Sequence, residues 1–142
     1  MVFNTTLRTK KTSKAIDEIV GKTLPLLKIW KLGGTGSRRM IIEQASPNLS
    51  VYLNPDHYPT YSSIEIRQKG ILVHINQAYR TFAWPIPYYQ LALYNSNAIS
   101  IHASGDFIKY RQSTDNVHFK FVKKVLAEKA SYLAGISAFL EK

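Results

Sequence analysis

The segment from Ser62 to Asn76, SSIEIRQKGILVHIN, constrains the fold more than any other part of the sequence. Apolar and polar residues alternate on both sides of a short segment that ends in Gly70. Such alternation is typical of half-buried strands, and a short glycine-containing connection joins adjacent antiparallel strands. The segment therefore predicts a β-hairpin whose buried face carries Ile64, Ile66, Ile71, Val73 and Ile75.

The same period-two pattern occurs on both sides of this hairpin. Six further strand-like runs are RRMIIEQ, LSVYL, YRTFAW, LALY, AISIHA and FIKYRQ, and short turns join most of them. Short connections favour antiparallel neighbours over strand–helix–strand units. The pattern predicts a mainly β protein with about seven antiparallel strands in a curved sheet or partly open barrel. Such a sheet has to cover its edges.

The end of the sequence changes to a helical period. After the capping segment STDN, the pattern predicts one long amphipathic helix that begins near Asn116 and covers the open side of the sheet. Lysines and Glu128 lie largely opposite its apolar residues, which are Val122, Val125, Leu126, Leu133, Ile136 and Leu140.

The segment FAWPIPYYQL interrupts the strand pattern with two prolines. Proline cannot donate a hydrogen bond to a sheet, so Pro85 and Pro87 predict a strand end or an edge, at a corner of the fold. The neighbouring aromatic residues have two interpretations. Trp84, Tyr88 and Tyr89 either form an aromatic platform for a ligand or peptide, or they pack as a corner of the core. We favour the core, because aromatic side chains dominate core energetics.

Seven strands followed by one capping helix resemble the pleckstrin homology-like superfold, in particular its small bacterial domains. The resemblance extends from about Arg39 to the C-terminus and rests on the order of elements. It implies lipid binding as one option, but lipid-binding members carry basic residues around the first hairpin loop. Here that loop, QASPN, contains none, so recognition of inositol phosphates in the family's manner is not expected.

Positive charge is concentrated in the N-terminal part of the chain. Of the net charge of +10, residues 1–39 contribute +7, with nine Lys and Arg against two acidic residues. We predict a basic arm over residues 1–37, with a barrel domain over 38–142 that folds without it. The predicted contacts to an anionic partner are Lys10, Lys11, Lys14, Arg38 and Arg39.

Local structure within this arm is predicted only in part. Ser13 and Gly21 suit the two ends of a helix over Lys14 to Val20. The next segment, TLPLLKIWKL, suits a helical turn or an extended chain equally well. Gly33, Gly34 and Gly36 then predict a flexible boundary before the barrel domain.

Catalytic chemistry has little support in the sequence. The chain has no cysteine, its four histidines lack metal-binding spacing, and its nine acidic residues are scattered. We therefore predict no catalytic residue, no metal site and no cofactor, and hence not an enzyme. Asp56 and His57 form the one neighbouring acid–imidazole pair, and we interpret it as part of a turn.

The predicted function is a non-catalytic binding or adaptor module that recognises a protein or peptide partner. Peripheral binding to an anionic lipid membrane is one alternative, and nucleic-acid binding through the basic arm is a less favoured one. No secretory signal or transmembrane segment is evident, which predicts a cytoplasmic protein, with attachment to the membrane periphery as the alternative.

Overall fold

The computed structural model describes residues 1–55, 58–112 and 116–140. Its elements, in chain order, are strand β1 (Phe3–Asn4), helices α1 (Lys10–Val20) and α2 (Leu26–Leu32), strand β2 (Met40–Ala45), helix α3 (Pro47–Ser50), strands β3 (Tyr61–Ile66), β4 (Gly70–Gln77) and β5 (Arg80–Pro87), a 3₁₀ turn (Tyr88–Gln90), strands β6 (Ala92–Tyr94), β7 (Ser100–Ala103) and β8 (Asp106–Tyr110), and helix α4 (Asn116–Leu140).

The eight strands form one sheet in the order β1-β5-β4-β3-β2-β8-β7-β6, and all neighbouring strands are antiparallel. The outermost strands, β1 and β6, are not neighbours in this order, so the sheet is not closed. The predicted class, mainly β with antiparallel strands and a C-terminal helix, is confirmed. The strand that sequence patterning missed is β1, which has only two residues.

The hairpin of β3 and β4 has the predicted register. Ile64 lies opposite Val73 and Ile66 lies opposite Ile71, and all four side chains are buried. They belong to the main core, which the sheet shares with Phe121, Val122 and Val125 of α4. The C-terminal helix therefore begins at the predicted residue and covers the predicted surface.

Helix α1 packs on the opposite face of the sheet. Strand β1 pairs with β5, and Ile16 and Val20 of α1 form a second buried cluster with Leu72 and Ala83. Helix α1 ends at Gly21 as predicted, but it begins at Lys10 rather than Lys14. The predicted start was wrong because Thr9, not Ser13, is the N-cap, and its hydroxyl accepts a hydrogen bond from the Thr12 backbone N–H.

Residues 20–37 continue along the edge of the β3–β4 hairpin. The Lys69 backbone N–H donates to the Val20 carbonyl over 2.7 Å, and the Ile66 N–H donates to the Thr35 carbonyl over 2.8 Å. The Ser37 N–H donates to the Ile64 carbonyl over the same distance. The boundary at residue 37 and independent folding of 38–142 remain predictions, and these contacts identify the surface that a truncation would uncover.

The run LSVYL is not a strand, so this prediction was wrong. Residues Pro47–Ser50 form the short helix α3, and a turn follows. Proline suits the first helical position, because its fixed backbone angle is helical and it has no N–H to satisfy. The Ser46 hydroxyl also donates to the Asp106 carboxylate over 2.9 Å, which ties the start of α3 to β8.

The two prolines lie where the absence of an N–H is tolerated. Pro87 is the last residue of β5, and the 3₁₀ turn that follows leads to β6. Pro85 pairs with Leu72 of β4 on one side, while on its other side β1 extends only along Phe82 and Ala83. Pro87 lies at a strand end, as predicted, and Pro85 lies where β5 has a strand neighbour on one side only.

Candidate functional site

Helix α2 presents the largest apolar side chains of the N-terminal segment to solvent. Pro25 is its N-cap, and Gly33 ends it in the left-handed conformation with φ 74°. Ile29 and Leu32 pack against the main core. The helix is therefore held by only one of its faces.

The opposite face of α2 carries Leu26, Leu27 and Trp30, which are 85%, 64% and 80% exposed. Residues three and four positions apart lie on the same side of a helix, so these three side chains form one apolar patch. We call Leu26, Leu27 and Trp30 the α2 patch. Contiguous exposed apolar groups of this kind mark surfaces that contact a partner or a membrane.

Lysines border the α2 patch. Lys31 is exposed one position beyond Trp30, and Lys22 is exposed in the segment that precedes the helix. Lys28 binds Glu128 of α4 with its Nζ 2.9 Å from Oε2, which attaches α2 to the C-terminal helix. A protein surface that combines exposed apolar side chains with neighbouring exposed lysines is suited to bind an anionic surface.

The predicted anionic contacts fall into two groups. Lys10, Lys11 and Lys14 are exposed on α1, and their spacing places them on one face, away from buried Ile16. Arg38 and Arg39 are exposed just before β2, a different part of the fold. The Arg39 guanidinium lies 4.3 Å from the centroid of the Tyr61 ring.

A buried arginine connects the N-terminal segment to the hairpin. Arg67 is 3% exposed, and its guanidinium bonds Glu65 over 2.8 Å, Asp17 over 3.0 Å and the Gly21 carbonyl over 3.2 Å. Burial by itself raises the pKa of Glu65, but the hydrogen bond from His74 and the positive charge of Arg67 outweigh it, so the pKa is lowered. This network stabilises the docked position of α1.

The three aromatic residues predicted as either platform or core lie in two environments. Trp84 is 4% and Tyr88 1% exposed, and the Tyr88 hydroxyl donates to the Arg67 carbonyl over 3.2 Å. Burial is the main cause that raises the pKa of Tyr88, with the negative charge of Glu128 adding to it. Tyr89 is 72% exposed. The ring of Tyr89 is thus accessible, while Trp84 and Tyr88 contribute to the core.

A second apolar surface lies at the end of α4. The helical stripe that packs on the sheet through Phe121, Val125 and Tyr132 continues along the same side of the helix to Ile136, Phe139 and Leu140. Phe139 and Leu140 are each 76% exposed. Residues 130–140 contain no charged side chain. We call Ile136, Phe139 and Leu140 the α4 stripe.

Sequence reasoning did not identify the α2 patch. The sequence of TLPLLKIWKL suits a helix and an extended chain equally well, and only a helix places Leu26, Leu27 and Trp30 together. One signal was available in the sequence. A short helix that rests on a core needs few apolar residues, and α2 contains further apolar residues besides Ile29 and Leu32, which pack on the core. The excess has to face solvent or a partner.

Within residues 1–55, 58–112 and 116–140, no three His, Asp or Glu side chains come together as a metal-ligand set. None of the helices in these ranges has the length and apolar character needed to cross a membrane. Asp56 and His57 lie outside the described residues.

Comparison with known proteins identifies no relative: no protein-family model matches the chain, and neither a curated protein nor a solved structure matches it.

Proposed function

We propose that this protein is a non-catalytic module that binds the surface of an anionic membrane through the α2 patch. The observation that carries the proposal is the exposure of Leu26, Leu27 and Trp30 on one face of a helix that is bordered by lysines. Tryptophan is enriched at the membrane–water interface, where its ring sits among the headgroups. Lysines beside it attract anionic lipid.

The energies support a weak and reversible attachment. Removing one large apolar side chain from water contributes about 1.5–3 kcal/mol when its burial is complete. With partial insertion, the three side chains of the patch contribute on the order of 5 kcal/mol. Each lysine near an anionic surface adds about 1 kcal/mol. The sum corresponds to micromolar-to-millimolar affinity, which suits a peripheral protein.

A pleckstrin homology-like architecture is part of this proposal. The order of β2 to β8 followed by α4 supports it. The proposed attachment differs from headgroup recognition at the first hairpin loop, because the segment between β2 and β3 has no Lys or Arg from Ser46 to Thr60. Insertion of α2 replaces a specific headgroup contact with apolar burial and general charge attraction.

The experiment is co-sedimentation with vesicles of phosphatidylcholine alone or with phosphatidylserine added. We expect stronger binding to the anionic vesicles than to phosphatidylcholine alone. Trp84 is buried and Trp30 is exposed, so a blue shift of tryptophan fluorescence upon binding reports the entry of Trp30 into the lipid interface.

Two variants and one control locate the contact. Leu27→Ser combined with Trp30→Ser should reduce binding at least tenfold, since it removes most of the inserted apolar area. Val51→Ser is the control, because Val51 is 69% exposed elsewhere. The proposal fails if the double variant binds like the control. If instead replacement of Lys10, Lys11 and Lys14 by glutamine abolishes binding, the contact is the exposed face of α1, and nucleic acid becomes the partner to test.

A protein partner is the second candidate, and the α4 stripe favours it. We propose a second copy of this chain as the occupant. With a net charge of +10, two copies repel each other over most of their surface, whereas residues 130–140 are uncharged and can approach an identical segment. Sedimentation velocity should show a dimer that Phe139→Ser with Leu140→Ser dissociates. A monomer at all accessible concentrations rules this candidate out.

A further inference from the structure

A pocket of ≈ 230 Å³ lies at the end of the sheet where β2 begins and β8 ends. The connection between β6 and β7 forms one wall, and the first turns of α4 form another. This pocket is separate from the α2 patch, because the two share no lining residue. Its floor is apolar and consists of Met40, Ile99 and Tyr110, each at most 7% exposed.

Backbone hydrogen bonds hold the walls in place. The Tyr110 N–H donates to the Ile99 carbonyl over 2.9 Å, and the Arg111 N–H donates to the Ile41 carbonyl over 2.7 Å. The Tyr110 hydroxyl is engaged with Ser62 Oγ at 2.9 Å inside the core. Since backbone hydrogen bonds fix both sides of the floor, the pocket is present before a ligand binds, which lowers the cost of binding.

The rim of the pocket is basic. Arg39 and Arg111 both line it, and in the described part of the chain neither guanidinium forms an ion pair. No acidic side chain is present among its described lining residues. His118 also lines the pocket, and its buried Nδ1 has no hydrogen-bond partner among the residues that the structure describes. A buried polar atom without a partner is costly.

We propose that this pocket binds a small organic anion, in which an oxyanion group is attached to a compact apolar body. Guanidinium groups are suited to carboxylate and phosphate because they donate parallel hydrogen bonds to two oxygens. The apolar floor favours a hydrocarbon body over a fully hydrated ion. The pocket volume of ≈ 230 Å³ is about eight times the ~30 Å³ that one water molecule occupies in the liquid, so the ligand is small, of the size of benzoate.

The probes are benzoate, phenyl phosphate, the neutral analogue benzyl alcohol, and inorganic phosphate. Binding is followed by the backbone amide chemical shifts of Ile99, Arg111 and Phe119 in the full chain. We expect benzoate or phenyl phosphate to bind at least tenfold more tightly than both benzyl alcohol and inorganic phosphate. A preference for benzoate or for phenyl phosphate identifies the oxyanion as carboxylate or phosphate.

Variants separate charge from shape. Arg111→Gln and Arg39→Gln should each weaken binding about tenfold, as expected for the loss of a charge-assisted hydrogen bond. Lys109→Gln is the matched control, because it removes one positive charge from β8, two residues before Arg111 and outside the pocket. Ala98→Phe should block binding without changing any charge, and melting temperatures verify that each variant is folded.

Three results would overturn the proposal. The first is equal binding of benzyl alcohol, which would make the site merely apolar. The second is equal weakening by Lys109→Gln and Arg111→Gln, which would indicate general attraction to a basic protein. The third is the absence of shifts at the pocket amides with millimolar benzoate and phenyl phosphate.

Discussion

Replacing Ile16 by alanine tests whether α1 is part of the folded body. The Ile16 side chain is fully buried against the face of the sheet opposite α4, in a cluster with Val20, Leu72 and Ala83. Truncating a buried isoleucine to alanine typically costs about 2–5 kcal/mol. Because α1 is a surface helix that can settle toward the sheet, we expect about 2–3 kcal/mol, a large share of the roughly 5–15 kcal/mol that stabilises a typical domain.

The assay is urea unfolding, followed by circular dichroism and by tryptophan fluorescence. In a thermal melt followed by the same two signals, the melting temperature should fall by roughly 5–10 °C, at about 2–4 °C per kcal/mol for a chain of this size. Lys14→Ala is the control, because Lys14 is exposed on the same helix. A surface change of that kind usually alters stability by less than about 0.5 kcal/mol.

The reasoning is refuted if Ile16→Ala and Lys14→Ala unfold at the same urea concentration. Deleting residues 1–37 then provides an independent measurement. We expect the deletion to destabilise the remaining body, because it uncovers Leu72 and Ala83 and removes Asp17 and Gly21 from Arg67. This expectation is the reverse of the one drawn from charge and composition alone.

Four further predictions concern the hairpin and α4. Gly70→Ala should lower the free energy of unfolding by about 1–3 kcal/mol or more, because an added Cβ would lie 2.2 Å from a backbone carbonyl oxygen of β5. Gly135→Ala should instead raise it by about 0.5–1 kcal/mol in the same urea assay, because the added Cβ inside α4 meets no atom within 4 Å. Arg67→Met should lower the free energy of unfolding by about 2 kcal/mol, because it breaks the bonds to Asp17 and Glu65. The loss is smaller than for a fully buried ion pair, because both carboxylates keep contact with water. An unchanged unfolding midpoint would contradict this prediction. Because the pKa of Glu65 is lowered in the folded state, its contribution to stability is present above the pKa that it has in the unfolded chain. That contribution is lost as the pH falls through the folded-state pKa. The free energy of unfolding, measured between about pH 7 and 3, should therefore depend less on acid for Glu65→Gln than for the wild type.

Local patterning determined most of the sheet and the last helix. The alternation around Gly70 specified the hairpin register, because a shift of one residue would turn every isoleucine toward the other face. Helical spacing after Asn116 specified α4 in the same way. The prolines specified a strand end and an edge because they cannot donate to a ladder. These signals are local, so a single sequence contains them.

Patterning was insufficient where a segment is short. Two residues of β1 have no detectable period, and LSVYL alternates like a strand although Ser46 and Pro47 begin a helix there. The proposed α2 patch and basic pocket also depend on such segments. Their existence follows from which face of α2 rests on the core, and from β2, β8 and α4 meeting at one end of the sheet.

The sequence by itself therefore determined the class of the fold, its longest elements and the concentration of positive charge near the N-terminus. Only the tertiary structure decided where that N-terminal segment lies. Its contacts with Leu72, Ala83 and Arg67 join residues about fifty or more positions apart. The hydrophobic periodicity of a short segment contains no information about contacts between residues so far apart in the sequence. Burial of Ile16 and exposure of Trp30 are likewise decided by the surface each helix meets, since both side chains are apolar and the sequence offers each the same preference for burial.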